Sequence, residues 1–129
     1  MKQVSRNKDK GNFLVRYAKS FGHALSGFWY ALTHEHNMII IVTAIIVTTC
    51  AGFYYDINNY EWLFCIMAFG TVMATEMLNT AVEALVDLVT TKYHPLAKIA
   101  KDACSTATLI FCIVAFIVAI IIFGPKIFI

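Results

Sequence analysis

The stretch that decides the fold is "ATEMLNTAVEALVD", residues 74–87, which lies inside a segment apolar enough to cross a membrane. It carries Glu76, Asn79, Glu83 and Asp87 at spacings of three, four and four residues. At about 100° per residue of an α-helix, these four side chains share one face. Ionisable side chains are costly at membrane depth, and those found there commonly belong to a functional site. The row therefore predicts a site on one face of a membrane-spanning helix.

The depth of this row follows from the rise of the helix. If Trp62 marks one membrane interface, Glu76 lies about 21 Å further along at 1.5 Å per residue. A hydrocarbon layer of ~30 Å then ends near residue 82, so Glu83 lies at the boundary and Asp87 in interfacial water. Carboxylates beside lysines at such a boundary can hold Mg²⁺ and phosphates. A deeper, partly desolvated carboxylate can act as a base on a lipid hydroxyl.

The composition supports a membrane protein with a single domain, residues 1–129. Of the 129 residues, 60% are apolar and only 14% are charged, against roughly 25% charged in an average soluble protein. The four cysteines lie in apolar segments without a CxxC pair, which predicts free, buried thiols. The sequence has neither GxxxxGK[ST] nor GxGxxG, so a nucleotide would not be held as in P-loop proteins or protein kinases. Nothing in it suggests nucleic-acid binding.

Helical periodicity and apolar runs predict the elements. Residues 12–33 repeat apolar side chains every three or four positions, with basic residues on another face. This pattern predicts an amphipathic helix on the membrane surface, the alternative being a soluble helix packed on a core. Apolar runs predict transmembrane helices over residues 38–55, 62–90 and 103–123, with a basic loop over 90–102, and residues 1–10 are expected to be flexible. The predicted fold is therefore an all-α membrane protein with three transmembrane helices and an N-terminal surface helix.

Positive charges predict the orientation. Three spans place the N-terminal region and the 90–102 loop on the same side, and both are basic. The opposite side has only Lys126, so the N-terminus and the loop are expected to be cytoplasmic. We see no secretory signal peptide in the polar, basic first twenty residues. The cations on the predicted cytoplasmic side are Lys2, Arg6, Lys8, Lys10, Arg16, Lys19, Lys92, Lys98 and Lys101.

Two segments, "ATEMLNTAVEALVDLV" and "YHPLAKIAKDACSTATLI", carry a resemblance to a family. The pattern E-x-x-N-[ST]-A-x-E-x-x-x-D, followed by Y-H-x-L-A-K-x-A-K-D, closely resembles the small prokaryotic diacylglycerol kinases, which are integral-membrane lipid kinases. The likeness runs from about residue 12 to the end. It implies a homotrimer in the bacterial cell membrane that uses ATP with Mg²⁺ and takes a lipid alcohol as its substrate.

The resemblance also implies roles for individual residues. Glu76 matches the general base, and Glu35 and Glu83 match the ligands of the Mg²⁺ on ATP. Asn79 matches an active-centre Asn, and Ser105 is expected at the lipid substrate together with Glu76 and Asn79. The residues expected to contact ATP are Arg16, Glu35, Glu83, Lys92, Tyr93, His94, Lys101 and Asp102.

The sequence departs from the family pattern at two places. Ile39 and Ile41 stand where relatives have Arg and His, and "STAT" (residues 105–108) stands where relatives have A-G-A-V, so that Thr106 replaces a Gly. These departures bear on substrate fit more than on the chemistry. "HPLAKIAKD" and the closing "GPKIF" are more similar to the subgroup that phosphorylates undecaprenol, a cell-wall lipid carrier, than to the diacylglycerol-specific one.

Other interpretations of the polar row remain open. Asn and Glu side chains can bind neighbouring helices and help an oligomer to assemble. They can also line a cation or proton pathway. A pathway needs polar residues along the whole membrane depth, whereas residues 38–55 have only scattered Thr and the first half of residues 62–90 is apolar. The diacylglycerol-specific activity is the alternative within the kinase family.

Overall fold

The computed structural model describes residues 13–129, which form four helices. They are α1 (Phe13–His34), α2 (His36–Tyr54), α3 (Asn59–Val89) and α4 (Pro95–Phe128). Helices α2, α3 and α4 have the length and apolar composition needed to cross a membrane. The prediction of an all-α protein with three spans is thereby confirmed. The segment expected to be flexible, residues 1–10, lies outside the described residues.

A single residue, Glu35, separates α1 from α2. Its backbone is extended (φ −108°, ψ 116°), while its amide still donates to the Ala31 carbonyl at 2.9 Å. Ala31 and Met38, on either side of the break, are fully buried. Their packing fixes the junction, and the helix is interrupted at the position of a candidate site residue.

The end of α2 packs closely on the start of α3. Asp56 adopts a left-handed conformation (φ 48°), which Asp tolerates better than most residues. The Ile57 amide then donates to the Gly52 carbonyl at 3.1 Å, in the Schellman pattern that commonly ends a helix. A Cβ on Gly52 would lie only 2.7 Å from Cη2 of Trp62. Glycine is therefore required where α2 meets this indole ring.

Helices α3 and α4 form the most extensive contact of the fold and run antiparallel. At one end, Glu61 pairs with Lys126 at 3.2 Å, and Glu61 also completes a capping box with Asn58. At the other end, Lys101 pairs with Asp87 at 2.6 Å. The two helices are thus tied together at both ends. A small core lies towards the Glu61 end and consists of Ile57, Cys65, Ile122 and Phe123.

The last helix is longer at both ends than the predicted span over residues 103–123. It begins at Pro95, so most of the predicted 90–102 loop is helical. Proline suits the first position of a helix because the missing N–H has no partner there. The preceding His94 caps the helix, since its Nδ1 accepts a hydrogen bond from the Leu96 amide at 3.2 Å. As a result, Lys101 and Ser105 belong to one continuous helix.

The prediction of four buried thiols is correct for only one of them. The cysteines are free, as expected, but Cys65 alone is buried, Cys104 and Cys112 are half-buried and Cys50 is exposed. The reason is that the outer faces of α2 and α4 are not covered by the rest of the chain; Ile40 and Phe116, for example, are each about two-thirds exposed. An apolar segment in a membrane protein faces lipid or another copy as readily as its own interior.

Candidate active site

The buried carboxylate of Glu76 is the centre of the site. Its side chain is 1% exposed, and neither carboxylate oxygen has a hydrogen-bond partner within residues 13–129. Asn37 of α2 and Thr108 of α4 lie beside it. The three residues line a cleft of about 230 Å³ where α2, α3 and α4 converge. Buried polar groups are nearly always paired, so the unpaired carboxylate makes this cleft the candidate site.

A short chain of hydrogen bonds links α4 to α3 next to this cleft. The Ser105 hydroxyl donates to Oδ1 of Asn79 at 3.3 Å. The Asn79 amide in turn donates to Oε1 of Glu83 at 3.3 Å. Asn79 is only 4% exposed, whereas Glu83 is half-buried. Asn79 therefore connects Ser105 of α4 with Glu83 of its own helix.

Three carboxylates belong to this region. Glu35, in the break between α1 and α2, is half-buried, and the charges of both Glu35 and Glu83 act on Glu76. Among residues 13–129, however, no three Asp, Glu, His or Cys side chains come close enough to hold a metal ion by themselves. Mg²⁺ is usually bound by one or two carboxylates together with phosphate oxygens and water. Glu35 and Glu83 are carboxylates of the type that such a site uses.

A second cleft lies where α3 ends and α4 begins. It is lined by Asp87, by the connection between the helices and by the first turns of α4. Lys101 donates to Asp87 across it, while Lys98 pairs with Asp102. Ion pairs therefore already hold both lysines in place at this surface. The residues predicted to contact ATP that line this cleft are Lys92, Tyr93, His94, Lys101 and Asp102.

Helix α4 carries a polar row, of which only Lys101 and Ser105 were predicted as site residues from the sequence. Lys101, Ser105 and Thr108 follow one another at spacings of four and three residues and so share a face. This face lies opposite the row on α3: Lys101 meets Asp87, Ser105 meets Asn79, and Thr108 lies beside Glu76. The spacing itself was the sequence feature that could have revealed the row. The row was not predicted because its first member, Lys101, lies in the segment 90–102, which was interpreted as a loop.

Arg16 is not brought to the other predicted site residues within one chain. It lies near the start of α1 and is exposed. Glu35 is 19 positions further along, which is about 28 Å at the rise of an α-helix. Within the part of the chain that the structure describes, Arg16 forms no ion pair.

An apolar groove adjoins the Glu76 cleft. Ile40, Ile41 and Cys112 line both of them, and the groove continues between α2, α3 and α4 past Ala44, Phe69 and Val118. Of the departures from the family pattern, Ile41 thus faces both spaces. Ile39 is about half exposed, and the Thr106 hydroxyl binds the Asp102 carbonyl of its own helix. A buried carboxylate, a surface that carries lysine–aspartate pairs and an apolar groove therefore lie next to one another along α3 and α4.

The sequence is similar to that of known lipid kinases. Residues 22–123 match the family described as prokaryotic diacylglycerol kinase. The chain is 39% identical over 120 residues to the undecaprenol kinase of Bacillus subtilis, covering 93% of this chain and 98% of that protein. It is 34% identical over 94 residues to a diacylglycerol kinase of Pseudomonas aeruginosa, covering 73% and 76% of the two chains. For the diacylglycerol kinase of Escherichia coli K12 the identity is 32% over 103 residues, covering 80% and 84%. The protein therefore belongs to the prokaryotic diacylglycerol kinase family.

Proposed function

We propose that this protein is an ATP- and Mg²⁺-dependent lipid kinase that phosphorylates undecaprenol. The observation that carries the proposal is the Glu76 carboxylate, which is buried, unpaired and placed where a polar cleft opens into an apolar groove. Such a junction suits an alcohol whose hydrocarbon chain stays in the lipid. Membership of a kinase family supplies the reaction class.

The residues of the chain suggest the course of the reaction. Glu76 accepts the proton of the lipid hydroxyl as its oxygen attacks the γ-phosphorus of ATP. The new O–P bond forms as the bond from the γ-phosphorus to the bridging oxygen breaks, and ADP leaves. In phosphoryl transfer the protein contributes mainly positioning and charge stabilisation. Lys101, held by Asp87, offsets the negative charge of the phosphates.

The nucleotide is proposed to lie along the face of α3. Asp87, in the second cleft, is eleven positions beyond Glu76, or about 16 Å along the helix. A nucleotide held near the loop by Lys92, Tyr93, His94 and Asp102 would extend its phosphates past Glu83 towards Glu76. Mg²⁺, when bound, supplies positive charge at the phosphates, and Glu35 and Glu83 would hold it.

The membrane arrangement remains a proposal as well. The basic N-terminal region and the basic α3–α4 connection favour a cytoplasmic location for the N-terminus and the active site. Helix α1 has an apolar stripe that the rest of the chain does not cover, with Phe13, Phe21 and Leu25 more than half exposed. We infer that this stripe rests on the membrane surface. The family resemblance implies a homotrimer. In such a trimer, Arg16 would contact the nucleotide that a neighbouring chain binds.

Undecaprenol is proposed as the acceptor because of the similarity to the Bacillus subtilis undecaprenol kinase, which extends over nearly the whole of both chains. Diacylglycerol is the second candidate, since the Pseudomonas and Escherichia relatives are diacylglycerol kinases. Both lipids present a primary hydroxyl close to the headgroup plane, so the Glu76 cleft alone does not choose between them.

The choice is tested by offering both lipids to one preparation. The purified protein in dodecylmaltoside micelles receives radiolabelled MgATP with equal mole fractions of undecaprenol and dioleoylglycerol, and the labelled lipids are separated by chromatography. We expect label mainly in undecaprenyl phosphate. A clear preference for dioleoylglycerol would promote the second candidate, and labelling of neither lipid would reject the lipid kinase. Proton or cation flux through vesicles containing the protein would instead support the pathway interpretation.

A further inference from the structure

Thr108 has a hydroxyl group that nothing in residues 13–129 binds. Its side chain is 8% exposed, and Oγ1 is buried without a hydrogen-bond partner. Three threonines of α3 differ in this respect, because Thr71, Thr75 and Thr80 each donate to a carbonyl of their own helix. The Thr108 hydroxyl is therefore free to bind something in the cleft that it lines.

The other unpaired polar group in this cleft is the Glu76 carboxylate. Thr108 lies beside it on the facing helix, within reach of the carboxylate but without a hydrogen bond of regular geometry to it. One turn away on each helix, a hydrogen bond joins Ser105 to Asn79, and ion pairs join α3 and α4 at both ends. The two unpaired groups are consequently held at the same level of the cleft.

Together these groups complement an alcohol. An ionised carboxylate only accepts hydrogen bonds, whereas a threonine hydroxyl can donate one and accept others. An alcohol in the cleft could donate its proton to Glu76 and accept a hydrogen bond from Thr108 at its oxygen. The Thr108 hydroxyl and one oxygen of Glu76 would then each have a partner, and the alcohol would be held by two contacts and not by one.

We propose that the Thr108 hydroxyl binds the oxygen of the acceptor alcohol while Glu76 takes its proton. This inference rests on the proposed lipid kinase function and adds a substrate-binding residue to it. The alcohol oxygen has two lone pairs, so one stays available for the attack on phosphorus when the other accepts from Thr108. The contact would be made by this chain's own Thr108, on the same helix face as Ser105 and Lys101.

The test uses Thr108→Val, which keeps the shape of the side chain and removes its hydroxyl. We expect kcat/KM for undecaprenol to fall roughly tenfold, the effect of one lost hydrogen bond, while KM for ATP stays unchanged. The melting temperature in micelles should stay the same or rise, because an unpaired buried hydroxyl destabilises the free protein. Thr108→Ser should restore most of the activity. Thr71→Val, whose hydroxyl binds only its own helix, is the matched control and should behave like wild type.

A second measurement separates this contact from catalysis. Undecaprenol without nucleotide should raise the melting temperature of the wild-type protein, and the rise should be smaller for Thr108→Val. If the wild-type protein phosphorylates no lipid but is still stabilised more by undecaprenol than Thr108→Val is, the contact would be supported and the proposed function rejected. Wild-type kinetics and lipid stabilisation in Thr108→Val would overturn the inference. So would a defect confined to the pH profile with an unchanged lipid KM, since the hydroxyl would then act on Glu76 alone.

Discussion

Replacing Gly52 by alanine tests the packing that holds α2 against α3. The added Cβ would lie 2.7 Å from Cη2 and 2.8 Å from Cζ2 of Trp62, and 3.1 Å from Cδ1 of Ile57. The indole is rigid and already packs on Phe53, with ring centroids 5.0 Å apart, so it can yield only by moving as a whole ring. Overpacking of this kind costs typically about 1–3 kcal/mol, more than the gain of up to about 1 kcal/mol that alanine brings to a helix.

Thermal unfolding in micelles, followed by circular dichroism, measures this effect. Gly70→Ala is the matched control, because a Cβ at Gly70 meets nothing within 4 Å. We expect Gly52→Ala to melt at a lower temperature than wild type and Gly70→Ala to melt at the same or a higher temperature. The packing argument would be refuted if the two variants melted together. The packing of α2 on α3 matters for the site, because α2 contributes Asn37 to the Glu76 cleft.

Three further predictions concern the metal, the nucleotide and the fold. Glu83→Gln should raise the Mg²⁺ concentration needed for half-maximal phosphorylation, because a ligand charge is lost; an unchanged metal titration would count against the ligand role. Lys101→Met should raise KM for ATP by roughly tenfold, the scale of one lost charge-assisted contact, while KM for undecaprenol stays the same; an equal loss for both substrates would argue for a structural role. Asn58→Ala removes the side chain that accepts from the Tyr60 and Glu61 amides and should lower stability by about 1 kcal/mol, with kcat retained by the folded fraction; unaltered melting would contradict the importance of this cap.

The spanning helices were the most predictable part of the fold. Long apolar runs have few alternatives in a bilayer, because the backbone must satisfy its own hydrogen bonds there. The start of α4 was not predicted, since Pro95, Lys98 and Lys101 have the composition of a loop. Local chemistry decides otherwise: proline occupies the first helical position and His94 caps it. Such an end depends on one side-chain hydrogen bond, which composition does not reveal.

The α3 half of the candidate site followed from periodicity, and the α4 half did not. Glu76, Asn79 and Glu83 share a face whatever lies opposite them. Which side chains oppose them depends on the register between two antiparallel helices, and one helical turn would exchange every partner. The pairing of Lys101 with Asp87 and the position of Thr108 beside Glu76 therefore needed the structure. The exposure of Cys50 needed it too, because apolar composition does not show which faces of a helix the rest of the chain covers.

The most direct test of the account replaces Glu76 by glutamine and measures transfer of phosphate from MgATP to undecaprenol. Glutamine keeps the shape of the side chain but cannot take the proton, so we predict a fall in kcat on the order of 10²–10⁴-fold. Glu61→Gln, at the far end of α3, is the matched control and should keep its kcat. Wild-type turnover by a folded Glu76→Gln protein would contradict the claim that this buried carboxylate activates the lipid alcohol.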